Sequence, residues 1–242
     1  MTIRQFAAAL AGSLLLATAI QAQEAAEAEK SAWSGKAALG YLATSGNTES
    51  ASLNSQFEIG FTEGKWAHLL DAIAIKSEEA NQSTAEAYKL GWKSEYNISE
   101  FDFLFGRLVW RKDLFSGYDQ QFSQTVGYGR RLIETEKHHL SIEAGVGARQ
   151  STLRDGTSEN DTILRAGGLY RWQMTDTSQF TQELSVESGS SNTYLESITA
   201  LRTRLLNQLA LVASYTVKNN SDVPLGTEKT DTYSALSIEY AF

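Results

Sequence analysis

The chain has no cysteine and a single proline, Pro224, among its 242 residues. The first absence removes disulfides and thiolate metal ligands, so stability has to come from hydrogen bonding and packing. The second leaves a backbone in which almost every residue can donate to a β-ladder. Histidine is scarce as well: His68, His138 and His139 are the only three, and a hydrolase usually draws its general base from that residue type. There is no basic excess. The formal net charge of −8 argues against nucleic acid as a partner, which calls for a basic surface. Only one stretch is long and uncharged, from Phe6 to Ile20. It falls short of the roughly 20 apolar residues that a membrane-spanning helix needs. Membrane contact elsewhere in the chain would therefore be made by strands.

That apolar run follows Arg4 and ends in small residues up to Ala22, the pattern of a secretory signal peptide, so residues 1–22 are expected to be cleaved. The next segment, "QEAAEAEKSAW" at 23–33, is acidic and alanine-rich, too short and too charged for a stable isolated helix. It reads as a short periplasmic lead-in. From Ser34 onward the hydrophobic period is two.

In "SASLNSQFEIGFT", Ala51, Leu53, Phe57, Ile59 and Phe61 share one face and Asn54, Gln56, Glu58 and Gly60 the other. The same alternation sets Leu140, Ile142, Ala144 and Val146 against Glu143 and Arg149, Leu164 and Ala166 against Arg165 and Arg171, and Leu184 and Val186 against Glu183 and Glu187. Weaker strand patterns lie near 35–44, 65–76, 84–97, 102–114, 120–132, 193–205, 208–218 and 230–242. The inward faces of "KWAHLLDAIAIK" and "TYLESITALRTRL" do not follow from alternation. The faces opposite the apolar ones carry too much charge for a dry sandwich core. The fold class expected for residues 34–242 is therefore all-β, a closed antiparallel transmembrane β-barrel of about twelve strands.

Connections after the third, seventh and eleventh predicted strands contain "SEEANQS", "STLRDGTSEN" and "NNSDVPLGTEK", against "TEGK", "IETEK" and "TDTS" on the other side. With both termini periplasmic, the longer loops would be extracellular. Aromatics such as Trp66, Tyr96, Trp110 and Tyr170 lie toward predicted strand ends, where interfacial girdles belong. The last strand, "TYSALSIEYAF", places Leu236, Ile238, Tyr240 and Phe242 on one face. It is expected to close the barrel against the first strand and face lipid. Its ending resembles the C-terminal signal that barrel-insertion machinery recognises, although Ser237 stands where many such signals have glycine.

"YLATSGNTESASLNSQFEIGF", with its Gly46–Asn47–Thr48 turn, and "GRLVWRKDLFSGYDQQFSQTVGYGRRL" resemble a family of salt-induced outer-membrane proteins, a domain of unknown function. The resemblance covers roughly residues 34 to 242. The family's Arg–x–Asp–x–Phe–x–Gly–Tyr–Asp pattern falls on Arg111, Asp113, Phe115, Gly117, Tyr118 and Asp119. The resemblance implies a barrel in the cell outer membrane and brings no substrate.

The inward face is expected to carry Arg107, Arg111, Asp113, Arg131, Glu143, Arg149, Arg165, Arg171, Glu183 and Glu187, with Glu58, Lys89, Lys93 and Glu95. Two readings stand side by side: a network of ion pairs filling the lumen, and a charge-lined pore that selects solutes. For Arg111 and Asp113 the network is the favoured reading, because a rigid turn at Phe115–Gly117–Tyr118 is expected to anchor there. The three histidines fall at the periplasmic rim and read as interfacial or solvated. "RDGTSENDT", with Asp155, Glu159 and Asp161, reads as a solvated loop, because it lacks the ligand pattern of a calcium loop.

The function expected is a narrow, passive or weakly selective small-solute channel. A non-transporting envelope or stress-adaptation barrel is the alternative, and a surface hydrolase a distant third; the chain is not read as an enzyme. Neither cofactor nor metal is implied. The partners expected are outer-membrane lipid, the insertion machinery during biogenesis and small solutes in the lumen.

Overall fold

The computed structural model describes residues 32–44, 50–79, 82–113 and 118–242. The leader and most of the lead-in, the Gly46–Asn47–Thr48 turn, and Phe115 and Gly117 lie outside the described residues. Twelve strands follow in chain order: β1 (Trp33–Thr44), β2 (Ser50–Glu63), β3 (Trp66–Glu79), β4 (Gln82–Asn97), β5 (Asp102–Asp113), β6 (Tyr118–Glu134), β7 (His138–Leu153), β8 (Ser158–Gln173), β9 (Ser178–Ser188), β10 (Thr193–Arg204), β11 (Leu209–Asn220) and β12 (Thr230–Ala241). Each pairs antiparallel with its sequence neighbours, and β1 meets β12 to close the barrel. Closure satisfies the edge that an open sheet would expose to lipid. None of the helices among the described residues is long and apolar enough to cross a membrane.

Period-two alternation becomes inside and outside. On β8, Asp161, Ile163 and Arg165 are buried while Thr162, Leu164 and Ala166 are exposed. The outer face is a belt of exposed apolar side chains, among them Leu39, Val126, Ile142, Leu164, Leu201 and Leu236. Val126 is 63 % exposed with no protein to bury it, and an apolar belt of this extent suits contact with lipid. Registers also settle the two strands whose faces alternation left open. Glu58 lies opposite Asp71 and Gln56 opposite Ile73, so Leu69, Asp71, Ile73 and Ile75 face inward. Glu187 lies opposite Tyr194 and Ser185 opposite Glu196, which turns Tyr194, Glu196, Ile198 and Arg202 inward.

The closing seam is the narrowest ladder in the barrel. It runs over four residue pairs, from Lys36 with Ala241 to Leu39 with Ile238, whereas β11 and β12 pair from Leu209 with Tyr240 to Asn219 with Thr230. One further step is added by Gly35 and Phe242, whose amides donate to each other's carbonyls at 2.8 and 2.9 Å. A side chain on Gly35 would run into the Phe242 ring, so the glycine is what lets that ring lie flat over the seam.

The expected contrast in loop length largely disappears. Most of "SEEANQS" is strand, since β3 runs to Glu79 and β4 starts at Gln82, and "STLRDGTSEN" shrinks to residues 154–157 between β7 and β8. Among the described connections at that end only 221–229 is long. The polar residues continue the ladders past the apolar belt, because backbone bonds are satisfied in a hairpin stem whatever the side chains are. The end that holds Trp33 and Phe242 is called the terminal end below, and the end with 154–157 and 221–229 the distal end.

Candidate functional site

Arg111, Asp113, Arg149, Arg165 and Glu187 are buried, Arg107, Glu143, Arg171 and Glu183 line a cavity of the lumen, and the two ends of the lumen differ. In the distal half, charges are buried in pairs, three of which cross the barrel while a fourth joins neighbouring strands. The Arg111 guanidinium on β5 donates to both carboxylate oxygens of Glu187 on β9, at 3.2 and 3.3 Å, and to the Ser123 hydroxyl at 3.3 Å. It also stacks 4.6 Å from the Tyr194 ring centroid. Arg149 on β7 donates to Asp161 on β8 at 3.2 Å, and these side chains are 0 % and 2 % exposed. Asp161 accepts two more hydroxyls and an amide from Ser190 and Ser191, so the β9–β10 turn folds down onto it. Asn192 in that turn takes Arg149 on its carbonyl and donates to Asn220 at 2.7 Å. Lys89 reaches Glu196 at 3.0 Å, and Lys218 reaches Asp113 at 3.4 Å. Two cavities of about 30 and 40 Å³, both bounded by Lys89 and Glu196, lie among these groups.

The terminal half is open. A cavity of about 250 Å³ is lined by residues from β1, β2, β3, β4, β5, β7, β8 and β9. On its distal side Glu143 accepts from Arg165 at 2.9 Å and from Lys93, and Lys93 also meets Glu95 at 2.8 Å. Beneath these cations lie the buried rings of Phe103 and Phe105. Lys93 is 5.4 and 5.6 Å from the two ring centroids, and Arg131 stacks 4.8 Å from Phe103. Gly129, opposite Phe103 on β6, has no side chain because that ring occupies the space. Nearer the mouth Lys36 and Glu58 pair at 3.1 Å with both side chains well exposed. Among the described residues, the side chains of Arg107, Arg171 and Glu183 line this cavity without an ion pair or a hydrogen bond.

The motif residues around Arg111 take partners from several strands. Arg111 donates across the lumen to Glu187. Asp113 takes Lys218 and the Tyr233 hydroxyl from β11 and β12. Tyr118 faces inward because a bulge between Tyr118 and Gln120 shifts the register, and its hydroxyl reaches the Asp222 carbonyl at 3.4 Å; Asp119, by contrast, pairs with Lys112 at 3.6 Å. "RDGTSENDT" is not a solvated loop throughout: residues 158–161 belong to β8 and Asp161 is buried. Asp155 accepts the Thr157 amide at 2.8 Å, which holds its carboxyl below the ordinary carboxylate range.

The histidines do not converge. His68 stacks outside the barrel among Phe61, Trp66 and Trp92, and His138 lies between Tyr170 and Trp172. His139 meets Glu134 at 2.7 Å. Sequence reasoning missed Lys218, Glu196, Tyr194, Tyr233 and Asn192. The first three lie on strands whose inward parity was not assigned, Tyr233 lies on the inward face of β12, for which only the lipid face was read, and Asn192 carries no signal in a chain whose β9–β10 turn looks like any other.

A closed, twelve-stranded, antiparallel barrel with an apolar outer belt and a charge-filled lumen is an outer-membrane-type β-barrel. Within that class, the chain belongs to the family described as "Protein of unknown function, DUF481", which matches residues 37–242. It is 34 % identical over 213 residues to the uncharacterized protein YdiY of Escherichia coli (strain K12), covering 88 % of this chain and 84 % of YdiY. Among solved structures it resembles the NanC porin, with a TM-score of 0.50 at 10 % identity over 87 % of this chain and 98 % of that one. The translocator domain of the autotransporter NalP from Neisseria meningitidis is also similar, with a TM-score of 0.47 at 12 % identity over 87 % and 88 % of the two chains. At these identities the structural likenesses speak to fold alone.

Proposed function

We propose that this barrel is a narrow, weakly selective channel for small solutes, seated in the outer membrane with both termini in the periplasm and reached by export through a cleaved signal peptide. The observation that carries this reading is the taper of a lumen charged along its length, from about 250 Å³ in the terminal half to about 30 and 40 Å³ in the distal half. Spaces of that smaller size hold about two or three waters each. The Nε–H groups of Arg111, Arg149 and Arg165 are buried without an acceptor, and a thread of water through the constriction would serve them. The reading is non-enzymatic: two histidines sit in aromatic stacks outside the barrel and the third is hydrogen-bonded to Glu134.

A second reading, a non-transporting envelope barrel, draws support from the Arg149–Asp161 pair and the turn folded over it, which seal one wall of the distal mouth. Planar-bilayer recording on the purified, folded protein separates the two. The channel reading expects small discrete conductances that grow in the double variant Arg111→Ala/Glu187→Ala. Silence from both proteins would leave the non-transporting barrel.

A further inference from the structure

We infer that the terminal-half cavity is a binding site for a small anion bearing carboxylate or phosphate oxygens, held by Arg107 and Arg171. The chain as a whole is acidic, at −8, yet this cavity is lined by five cationic side chains and three carboxylates. Lys36 uses Glu58, and Lys93 and Arg165 share Glu143. Arg107 and Arg171 are left over.

The registers show why Arg107 stands out. On the lumen face, β4 and β5 set two cations directly opposite two others: Lys89 faces Arg111, and Lys93 faces Arg107. Like charges in that position repel. The first pair is relieved from across the barrel, Lys89 by Glu196 and Arg111 by Glu187. In the second pair Lys93 has Glu95 and Glu143, while Arg107 has no ion pair and no hydrogen bond among the described residues. Glu143, the acid that could relieve it, is already shared by Lys93 and Arg165. Arg171 lines the same cavity and lies across from Thr181, not from an acid. Glu183 also lines the cavity unpaired, and it opposes any anion bound there.

A guanidinium left without a carboxylate in a half-enclosed, water-filled space is suited to bind a planar oxyanion through two parallel donors. The low-dielectric walls strengthen that attraction over its value in open water. An anion at this point would supply the charge that the Lys93–Arg107 pair lacks. In a conducting barrel the same site would concentrate anions at the wide end of the constriction. The inference leans on the channel reading only for that last role, since binding and conduction are measured separately.

The test is calorimetric titration of the folded, full-length barrel in detergent at low ionic strength. The probes are succinate and inorganic phosphate, with neutral succinamide as control, and conductance is recorded on the same preparation. Succinate or phosphate should bind, succinamide should not, and rising salt should weaken binding. The variant Arg107→Gln/Arg171→Gln should bind at least about tenfold more weakly, and Glu183→Gln should bind more tightly. Heat-modifiable gel mobility of each variant confirms that it is folded. No binding of either anion to the natural protein, or unchanged binding by the folded double variant, overturns the site. Binding without conductance would remove the channel reading and leave the site; conductance without binding would do the reverse.

Discussion

The two halves of the lumen are built from the same residue types and arrive at opposite states. In the distal half the buried charges are paired: Arg111 meets Glu187 and Lys89 meets Glu196 across the barrel, and Arg149 meets Asp161 on the neighbouring strand. In the terminal half cations outnumber acids and a cavity of about 250 Å³ stays open. The difference comes from the balance of charge and from which cations an acid reaches. A buried cation that meets an acid on the facing wall pulls the space shut and excludes water. A cation opposite another cation with no acid in ion-pair reach, as Arg107 is opposite Lys93, keeps solvent as its partner.

The largest effect should come from breaking a distal pair. Arg149→Met leaves Asp161 charged and buried and should cost about 3–5 kcal/mol of stability, read from urea unfolding of the detergent-folded barrel. Arg149→Met/Asp161→Leu should recover most of that loss. Next in size is the seam at the terminal end, where the Phe242 ring covers Gly35. Phe242→Ala should cost about 1–3 kcal/mol of burial and leave protein that refolds in detergent. If the ring is also an insertion signal, the level assembled in cells should fall further than the refolding yield, and an equal fall in both would make it a packing residue only.

Within the terminal half the expected effects are small and one changes sign. Arg107→Gln removes a repulsive cross-strand neighbour of Lys93 and should stabilise the barrel by about 0.2–1 kcal/mol; a loss instead would mean that Arg107 is already compensated. Lys36→Ala breaks an exposed pair with Glu58 and should change stability by about 0–1 kcal/mol, with the same unfolding titration as readout.

Much of this was legible in the sequence because a strand has only two faces. Alternation around Glu143, Arg165 and Glu187 was enough to turn those side chains inward, and the twelve segments followed from the same period. Two kinds of information were not legible. On "KWAHLLDAIAIK" both faces are apolar, since Ile73 lines the lumen while Leu70 faces out, so parity needed the register against β2. Which charges meet across the lumen depends on the curvature and stagger of the closed sheet, and no local pattern records that. That is why Glu196 and Lys218 escaped notice. Polarity also misled at 158–161, where hydrophilic residues extend a hairpin stem and bury Asp161 rather than forming a loop.

The asymmetry itself is open to one direct measurement, made simple by the absence of native cysteines. Thr181 lines the open cavity, and Ser123, 2 % exposed, lies beside the Arg111–Glu187 pair. Single-cysteine proteins Thr181→Cys and Ser123→Cys, folded in detergent, can be reacted with a charged, water-soluble thiol reagent and followed over time. Rapid labelling at 181 with much slower labelling at 123 is the expected result. Equal rates at the two positions would contradict the account, since they would mean that the distal half is as open to water as the terminal half.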